Sequence, residues 1–268
     1  MKIKKLINLL VLILAAVVCT PALNFAQDSS KITLDYGTDM VSRYVWRGTQ
    51  FGGASPNVQP YVEAAFGNFV FGSWGAYSLG GFSPFQELDF YAAFSLMDDM
   101  VSITATDYYF PDESVDYQYF VYDELITGHL FELSASFNGT DKIPLSVLIA
   151  TNLFGADAIR ISDDSTTSFL RDGIQYSTYL ELGYSTICSN LDLDVFLGVN
   201  LTNPREADAS TGYPGETGFY GSKMGVVNIG ITVSKELKIS NTFSLPVMAS
   251  VITNPQSQKI FMVFGFSL

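Results

Sequence analysis

The stretch from Lys31 to Arg47 reads KITLDYGTDMVSRYVWR and alternates between two kinds of residue. The even positions, from Ile32 to Trp46, are mostly apolar or aromatic, whereas every charged side chain falls on an odd position. Successive side chains of a β-strand point to opposite faces, so this pattern predicts one long strand with an apolar face and a charged face. The charges are also spaced four apart, which a helix would permit, but the strict alternation and the aromatic content favour a strand.

The same two-faced pattern recurs along the chain. The clearest example is residues 191–201, where Leu and Val alternate with polar residues that include Asp192 and Asp194. The alternation predicts twelve strands, at residues 31–47, 57–66, 69–79, 87–96, 101–110, 117–137, 145–154, 174–187, 191–201, 225–235, 243–253 and 258–268. Residues 117–128 alternate only weakly, which leaves a count of fourteen strands open.

The connections between these predicted strands differ systematically in length. Those after odd-numbered strands are mostly long and polar, whereas those after even-numbered strands are mostly short. Outer-membrane β-barrels show this asymmetry, with long loops outside and short turns in the periplasm, and strands of about ten residues match a tilted membrane crossing. The sequence therefore predicts an all-β fold: a single antiparallel transmembrane β-barrel of about 12 strands over residues 27–268, with both termini periplasmic.

Alternation does not by itself show whether the apolar face contacts lipid or a protein core. A soluble exported β-sandwich or lipocalin-like barrel would alternate in the same way. However, the chain contains 21 Phe and 15 Tyr, and apolar stripes this rich in aromatic residues would overfill the interior of one small barrel. This argument favours the membrane barrel.

Residues 1–26 have the features of a secretory signal. Three lysines within the first five residues precede an apolar core at 6–18, which is too short to span a membrane as a helix. Cleavage after either Ala22 or Ala26 fits the sequence. Once the signal is removed, Cys188 is the only cysteine, so the mature chain forms no internal disulfide.

The charged residues predict an acidic interior. The formal net charge is −13, which disfavours nucleic acids and anionic ligands as partners. Eleven charged side chains fall on the rows opposite the apolar faces and are predicted to line the lumen: Asp35, Asp39, Arg43, Arg47, Glu63, Glu87, Asp89, Glu132, Glu181, Asp192 and Asp194. We expect the two arginines to pair with some of these acids and the remaining acids to leave the lumen negative. Four large aromatic residues also fall on the inward rows: Tyr61, Tyr91, Tyr179 and Phe196. They leave a second interpretation open, in which the interior is a plugged polar core that does not conduct.

No catalytic residue, metal site or cofactor is predicted. His129 is the only histidine, and its strand neighbours are apolar, which indicates a packed or interfacial side chain. One histidine and one mature cysteine argue against a zinc site. Tyr44 and Trp46 are predicted to belong to an interfacial aromatic girdle.

One segment resembles a known family. Val41–Gly48 (VSRYVWRG), followed by Pro56, by Val58-Gln59-Pro60 and by Phe71–Gly75 (FGSWG), is similar to the TorF-type porins of Gram-negative envelopes. The resemblance covers about the first two mature hairpins. It implies an outer-membrane β-barrel with channel activity, and it supplies neither a substrate nor catalytic residues.

These observations predict passive diffusion of small hydrophilic solutes through an outer-membrane porin that prefers cations. Two alternatives stay open: a non-conducting structural or adhesion barrel, and an outer-membrane lipid hydrolase that would use His129. The expected partners are outer-membrane lipids, lipopolysaccharide and, during biogenesis, the barrel-assembly machinery. The transported solute and the oligomeric state are not predicted.

Overall fold

The structure, a computed structural model, describes residues 31–80, 85–111, 119–124, 126–140, 142–162 and 170–268. The predicted signal at 1–26 therefore lies outside the described residues. Within the described ranges, no helix is long and apolar enough to cross a membrane.

Twelve antiparallel strands close into one barrel, which confirms the predicted fold class. The strands in the described residues are β1 (Thr33–Val41), β2 (Tyr44–Trp46), β3 (Thr49–Phe51), β4 (Asn57–Phe66), β5 (Phe69–Ser78), β6 (Gln86–Leu96), β7 (Val101–Tyr109), β8 (His129–Phe137), β9 (Leu145–Gly155), β10 (Ile159–Ile161), β11 (Arg171–Ile174), β12 (Thr178–Cys188), β13 (Leu191–Asn200), β14 (Gly225–Lys238), β15 (Ser244–Asn254) and β16 (Lys259–Ser267). Around the barrel the order is β1-β16-β15-β14-β13-β12-β9-β8-β7-β6-β5-β4, and β2–β3 and β10–β11 form two separate hairpins.

The first strand is shorter than the sequence predicts. β1 ends at Val41 rather than Arg47, because Val41 pairs with Asn57, the first residue of the neighbouring strand β4. Beyond this pair β1 has no partner on that side, and the chain leaves the wall. Ser42 makes the last links to the wall through the backbone of Phe264 on β16.

Two other strands begin further along the chain than the sequence predicts. β8 starts at His129, which pairs with Tyr109 at the end of β7, and the described residues between 119 and 128 are turn and coil. The barrel therefore has twelve strands and not fourteen. Residues 171–174 pair with 159–161 in the β10–β11 hairpin, so the predicted strand at 174–187 begins at Thr178.

The two ends of the barrel differ as the loop lengths predict. At one end, here the short-turn end, the connections are 67–68, 97–100, 138–144, 189–190 and 239–243. At the other, the long-loop end, they include 42–56, 110–128, 156–177 and 201–224. The first and last strands both have their free ends at the short-turn end.

The outer face of the barrel is apolar on every strand. Each barrel strand exposes a large apolar side chain, with exposed fractions from 40% to 78%: Tyr36, Val62, Phe71, Phe90, Ile103, Leu133, Ile149, Leu182, Val195, Ile231, Val251 and Phe264. A soluble barrel or sandwich would instead turn these rows toward its core, because exposed apolar area of this extent is unfavourable in water.

On the inner face, several aromatic rings lie flat against glycines of the neighbouring strand. Gly72 on β5 pairs with both Glu63 on β4 and Tyr91 on β6, and a Cβ at Gly72 would lie 2.2 Å from the Tyr91 ring. The Tyr91 hydroxyl crosses above Gly72 and donates a hydrogen bond to Glu63 at 2.6 Å. Because the glycine has no side chain, the ring can cover the wall without projecting across the interior.

The same arrangement recurs at Tyr179, where a Cβ on Gly198 would lie 2.0 Å from the hydroxyl. The Tyr179 hydroxyl also accepts a hydrogen bond of 3.0 Å from Asn228, one strand beyond Gly198.

Candidate functional site in the barrel interior

A short hairpin, here called the inner hairpin, crosses the interior of the barrel at its long-loop end. It consists of residues 44–51, in which β2 pairs with β3 through Trp46 and Thr49 and the turn is Arg47–Gly48. Both turn residues have positive φ angles, 47° and 79°, as the central residues of a two-residue type I′ turn do. The hairpin is hydrogen-bonded to itself and is not part of the barrel sheet.

The inner hairpin contacts nearly opposite sides of the wall. At its base, the ring of Tyr44 packs against Trp74 on β5, with ring centroids 5.5 Å apart. At its tip, the carbonyl of Gly48 accepts a hydrogen bond of 3.2 Å from Asn254 on β15. A Cβ on Gly48 would lie 2.1 Å from the carbonyl oxygen of Val227 on β14, so the tip presses directly on the wall backbone. The hairpin therefore spans the lumen.

An ion pair fastens the tip to the wall. The Arg47 guanidinium donates two hydrogen bonds to the Glu132 carboxylate on β8, of 2.5 and 2.9 Å, in a bidentate arrangement. The side chains of Arg47 and Glu132 are only 9% and 2% exposed. The Tyr220 hydroxyl accepts a third hydrogen bond from Arg47 at 2.7 Å. Tyr108 donates to the same carboxylate at 3.1 Å.

Aromatic rings surround this ion pair. The centre of the Arg47 guanidinium lies 4.4 Å from the Trp46 ring and 4.9 Å from the Tyr179 ring, distances at which cation–π attraction is effective. Trp46 also packs against Tyr108 and Tyr220, with centroid distances of 5.5 and 6.0 Å. Tyr220 belongs to the long connection 201–224, so a second loop also folds into the lumen.

Four of the predicted acids form an upper group at the level of the inner hairpin: Glu87, Asp89, Glu132 and Glu181. Glu87 and Asp89 are 3% and 5% exposed, and Glu87 shares a hydrogen bond with the Tyr44 hydroxyl of the hairpin. Glu181 accepts hydrogen bonds from Tyr179 and Asn228. Within the described ranges, Glu132 is the one member of this group with an ion-pair partner.

The other predicted acids form a lower group toward the short-turn end: Asp35, Asp39, Glu63, Asp192 and Asp194. Hydroxyl groups donate to three of them, from Ser267 to Asp39, from Tyr91 to Glu63 and from Ser185 to Asp194, each at 2.6 Å. No ion pair joins any of the five to a basic side chain in the part of the chain that the structure describes. These hydroxyl donors are neutral, so the hydrogen bonds add no positive charge beside the carboxylates.

The structure corrects the predicted positions of Arg43 and Arg47. Neither lies on β1: Arg43 is at the base of the inner hairpin, and Arg47 is at its tip. Arg47 does pair with a predicted acid, whereas Arg43 donates to Gln50 of the same hairpin at 3.1 Å. Tyr44 and Trp46 were predicted as interfacial girdle residues, and this was wrong, because both pack inside the barrel.

Two cavities lie on either side of the inner hairpin. The lower cavity has a volume of about 280 Å³ and lies between the hairpin tip and the wall, with Trp46, Tyr179, Glu181, Phe196 and Asn228 among its lining residues. The upper cavity, of about 400 Å³, lies between the hairpin, the segment 216–222 and the β15–β16 turn. Other lining residues, above all Tyr220 and Asn228, were not among the predicted site residues. No pattern in the sequence marks them.

His129 lies on the outer face of the wall, whereas the inner hairpin lies inside the barrel. The Asp107 carboxylate lies 2.8 Å from its Nδ1, and the Tyr119 carbonyl lies 2.6 Å from its Nε2. Rings of Tyr109, Tyr119 and Tyr122 cover it, and it is 0% exposed. It is packed, as predicted, and both ring nitrogens are occupied by protein groups, so the geometry offers it no access to a substrate.

Another ion pair ties two long loops together. The Glu216 carboxylate accepts a hydrogen bond of 2.6 Å from the Arg160 guanidinium. It also accepts hydrogen bonds from the backbone N–H groups of Ile161 and Arg205, at 3.0 and 2.9 Å. Burial alone would raise the pKa of Glu216, but these donors hold its pKa below the usual range of a glutamate. Within the described ranges, no group of three or more His, Cys, Asp and Glu side chains could hold a metal ion.

Fold and interior together define a closed antiparallel β-barrel with an apolar exterior and a lumen crossed by a hairpin and lined by carboxylates. By sequence, the chain belongs to the Gcw_chp family, described as a bacterial protein of unknown function, whose family model matches residues 25–203. No curated protein matches the sequence.

Several solved structures are similar in fold at low identity. A KdgM porin is 10% identical with a TM-score of 0.43, over 87% of this chain and 98% of that one. An outer membrane channel from Pseudomonas putida F1 is 12% identical with a TM-score of 0.36, over 88% and 92% of the two chains. OmpF of Salmonella typhi, in complex with daunomycin, is 8% identical with a TM-score of 0.38, over 90% and 98%. At these TM-scores, the similarities say nothing about activity.

Proposed function

We propose that this chain is an outer-membrane channel for passive diffusion of small hydrophilic solutes, with a preference for cations. The observation that carries the proposal is the inverted distribution of side chains: apolar residues face outward on every barrel strand, and carboxylates face inward. Lipid can cover such an exterior, and water with mobile ions can fill such an interior. An envelope barrel of this kind would contact outer-membrane lipids and lipopolysaccharide and would need the barrel-assembly machinery to insert.

The inner hairpin defines the narrowest part of the proposed pathway. It leaves one cavity on each side and carries the buried Arg47–Glu132 pair at its tip. A hairpin that divides a lumen limits the size of solutes, as constrictions in diffusion channels do. In this proposal, small solutes pass beside the hairpin and large ones are excluded.

Cation preference follows from the lower group of acids. Five carboxylates face the interior near the short-turn end with no ion-pair partner in the described ranges. A low-dielectric wall concentrates their potential within the lumen, which raises the local concentration of cations and lowers that of anions.

Reversal potentials measured in planar bilayers under a salt gradient test this proposal. The double substitution Asp192→Asn and Asp194→Asn is expected to lower the cation preference without unfolding the barrel, because changes in a lumen alter selectivity more than stability. The matched control is Asp98→Asn with Asp99→Asn, which removes two acids from a turn at the same end. This control should keep the parent selectivity.

Three results would contradict the proposal. An anion-selective pore would show that the acids do not control the lumen. A selectivity that is equally insensitive to both double substitutions would show that Asp192 and Asp194 do not line the pathway. A barrel that inserts into bilayers and never conducts would leave the structural or adhesion role instead.

The TorF-type resemblance agrees with this proposal. The segment that carries it, Val41–Gly48, forms the end of β1 and the first half of the inner hairpin, including the turn. Liposome swelling with sugars, amino acids and nucleosides would identify the solute class that passes.

A further inference from the structure

The lower cavity, beneath the tip of the inner hairpin, combines apolar side chains with one polar atom, Asn228 Oδ1, that has no hydrogen-bond partner within the described residues. Its volume of about 280 Å³ approaches the lower limit of typical small-molecule sites. On one side it is bounded by Trp46 and Arg47 of the hairpin, and on the other by wall residues of several strands.

One acceptor on the polar side of the cavity lacks a hydrogen-bond donor within the described residues. Asn228 is 5% exposed, and its Nδ2 group donates to Tyr179 and Glu181, both at 3.0 Å. Its Oδ1 atom is buried and has no hydrogen-bond partner within the described part of the chain. A buried acceptor without a donor is costly, so this site is suited to a ligand that donates hydrogen bonds.

The apolar side of the cavity includes the aromatic ring of Phe196. Phe196 lies against Gly230, where a Cβ would be 2.1 Å from the ring, so one face of Phe196 rests on the wall. Its remaining surface contributes to the cavity together with Ile252. A flat platform beside hydrogen-bonding groups fits a ring that has apolar C–H faces and a polar edge.

Two charged side chains in the lining further limit the chemical class of ligand that fits the cavity. Arg47 presents a cation, and Glu181 presents a carboxylate, so the cavity offers donors as well as acceptors. A hydroxyl group both donates and accepts, and therefore matches such a mixed lining better than an ammonium or a carboxylate, each of which does only one.

From these features we infer that the lower cavity is a binding site for one unit of a neutral sugar, with Phe196 as the platform and Asn228 Oδ1 and Glu181 as acceptors for its hydroxyls. The inference deepens the proposed channel function by naming its solute class. Affinity should be weak, with a dissociation constant on the order of 1 mM, because a diffusion site must release its solute readily.

Fluorescence of Trp46 tests the site without requiring conduction. Trp74 is the only other tryptophan, so Trp74→Phe leaves Trp46, which lines the cavity, as the single reporter. In the folded, detergent-solubilised protein, D-glucose or D-galactose should produce a saturable change in emission. D-galacturonate and choline should produce a much smaller change at the same concentration.

Two variants in the Trp74→Phe background assign the binding to the named groups. Asn228→Ala should weaken binding about tenfold, as expected for one lost hydrogen bond, and Phe196→Leu should weaken it at least as much while it leaves the polar groups in place. Asn57→Ala is the matched control, because Asn57 is also buried with an unpartnered Oδ1 but does not line the cavity. Heat-modifiable migration on a detergent gel verifies that each variant is folded.

The possible results distinguish failure of the binding site from failure of the proposed channel. No saturable response to either sugar, a preference for choline or galacturonate, or equal weakening by Asn57→Ala would overturn the site even if the protein conducts. Saturable sugar binding that depends on Asn228 and Phe196 would support the site even if bilayer recordings show no conduction, in which case only the proposed channel fails.

Discussion

Replacement of Arg47 by Ala should release the inner hairpin from the wall. The substitution leaves the Glu132 carboxylate, 2% exposed, buried without its cation, and loss of one partner from a buried ion pair costs about 3–5 kcal/mol. It also removes the cation–π contacts with Trp46 and Tyr179, worth about 0.5–2 kcal/mol each. Since each 1.4 kcal/mol is a factor of ten, the ratio of docked to undocked hairpin should fall by about 100-fold or more.

Single-channel recording measures this release. The barrel wall is held by its own strand ladder, so the Arg47→Ala variant should still insert, and it should show a higher conductance and more current noise than the parent. Trp46 should move from its contacts with Tyr108 and Tyr220 toward water, which shifts its emission to longer wavelength in the Trp74→Phe background. Addition of Glu132→Gln should partly restore docking, because it removes the buried charge.

Arg43→Ala provides the matched control for this experiment. Arg43 directly precedes the inner hairpin, and its hydrogen bond goes to Gln50 of the hairpin rather than to an acid of the wall. Its removal should change conductance much less. If Arg47→Ala conducts with the same amplitude and noise as the parent and Trp46 emission is unchanged, the ion pair does not fasten the hairpin and the reasoning is refuted.

Three further predictions concern other parts of the barrel. Gly198→Val should destabilise the fold by about 1–3 kcal/mol, seen as a lower midpoint of heat-modifiable migration, because a Cβ at Gly198 would lie 2.0 Å from the Tyr179 hydroxyl. Gly80→Val should not, because within the described residues the nearest atom to a Cβ at Gly80 is Ser55 Oγ, 3.9 Å away. The lowered pKa of Glu216 means that its stabilisation of the loops is complete above the usual glutamate pKa and is lost as pH falls through the lower folded value. The protection of amides in 205–216, measured as exchange relative to the intrinsic rate at each pH, should therefore fall only at acidic pH, and Glu216→Gln should remove this dependence. His129→Ala should leave conductance unchanged, with lipid-ester hydrolysis absent from parent and variant alike, whereas hydrolysis that the variant loses would indicate a catalytic histidine.

The barrel could be predicted from the sequence because it depends on a repeated local pattern. Alternation with period two identifies each strand and separates its faces, and the loop lengths identify the two ends. The outward direction of the apolar face was the part that alternation left open. It follows from closure, since twelve strands enclose one interior, and the rows with the largest apolar side chains are those found outside.

The strand ends were harder to predict, because they depend on partners that are distant in sequence. Val41 ends β1 because β4 begins at Asn57, and His129 begins β8 because β7 ends at Tyr109. The alternation continues past Val41 without interruption, since an inward-folded hairpin is also built from two-faced strands. Only the Arg47–Gly48 turn distinguishes an inward-folded hairpin from a continuous wall strand. A single glycine followed by Thr49 and Phe51 is a weak hairpin signal by itself.

Arg47 pairs with an acid as predicted, although its predicted position on a wall strand was wrong. Arg47 was expected to pair with an acid from the end of a wall strand, yet it reaches Glu132 from the tip of a hairpin. In both cases a buried guanidinium must find a carboxylate, because an unpaired charge in the interior is too costly. Charge balance therefore predicted the type of partner, whereas the choice of Glu132 over the other upper acids depends on where the turn at Gly48 meets Val227, a contact between residues 179 positions apart in the chain.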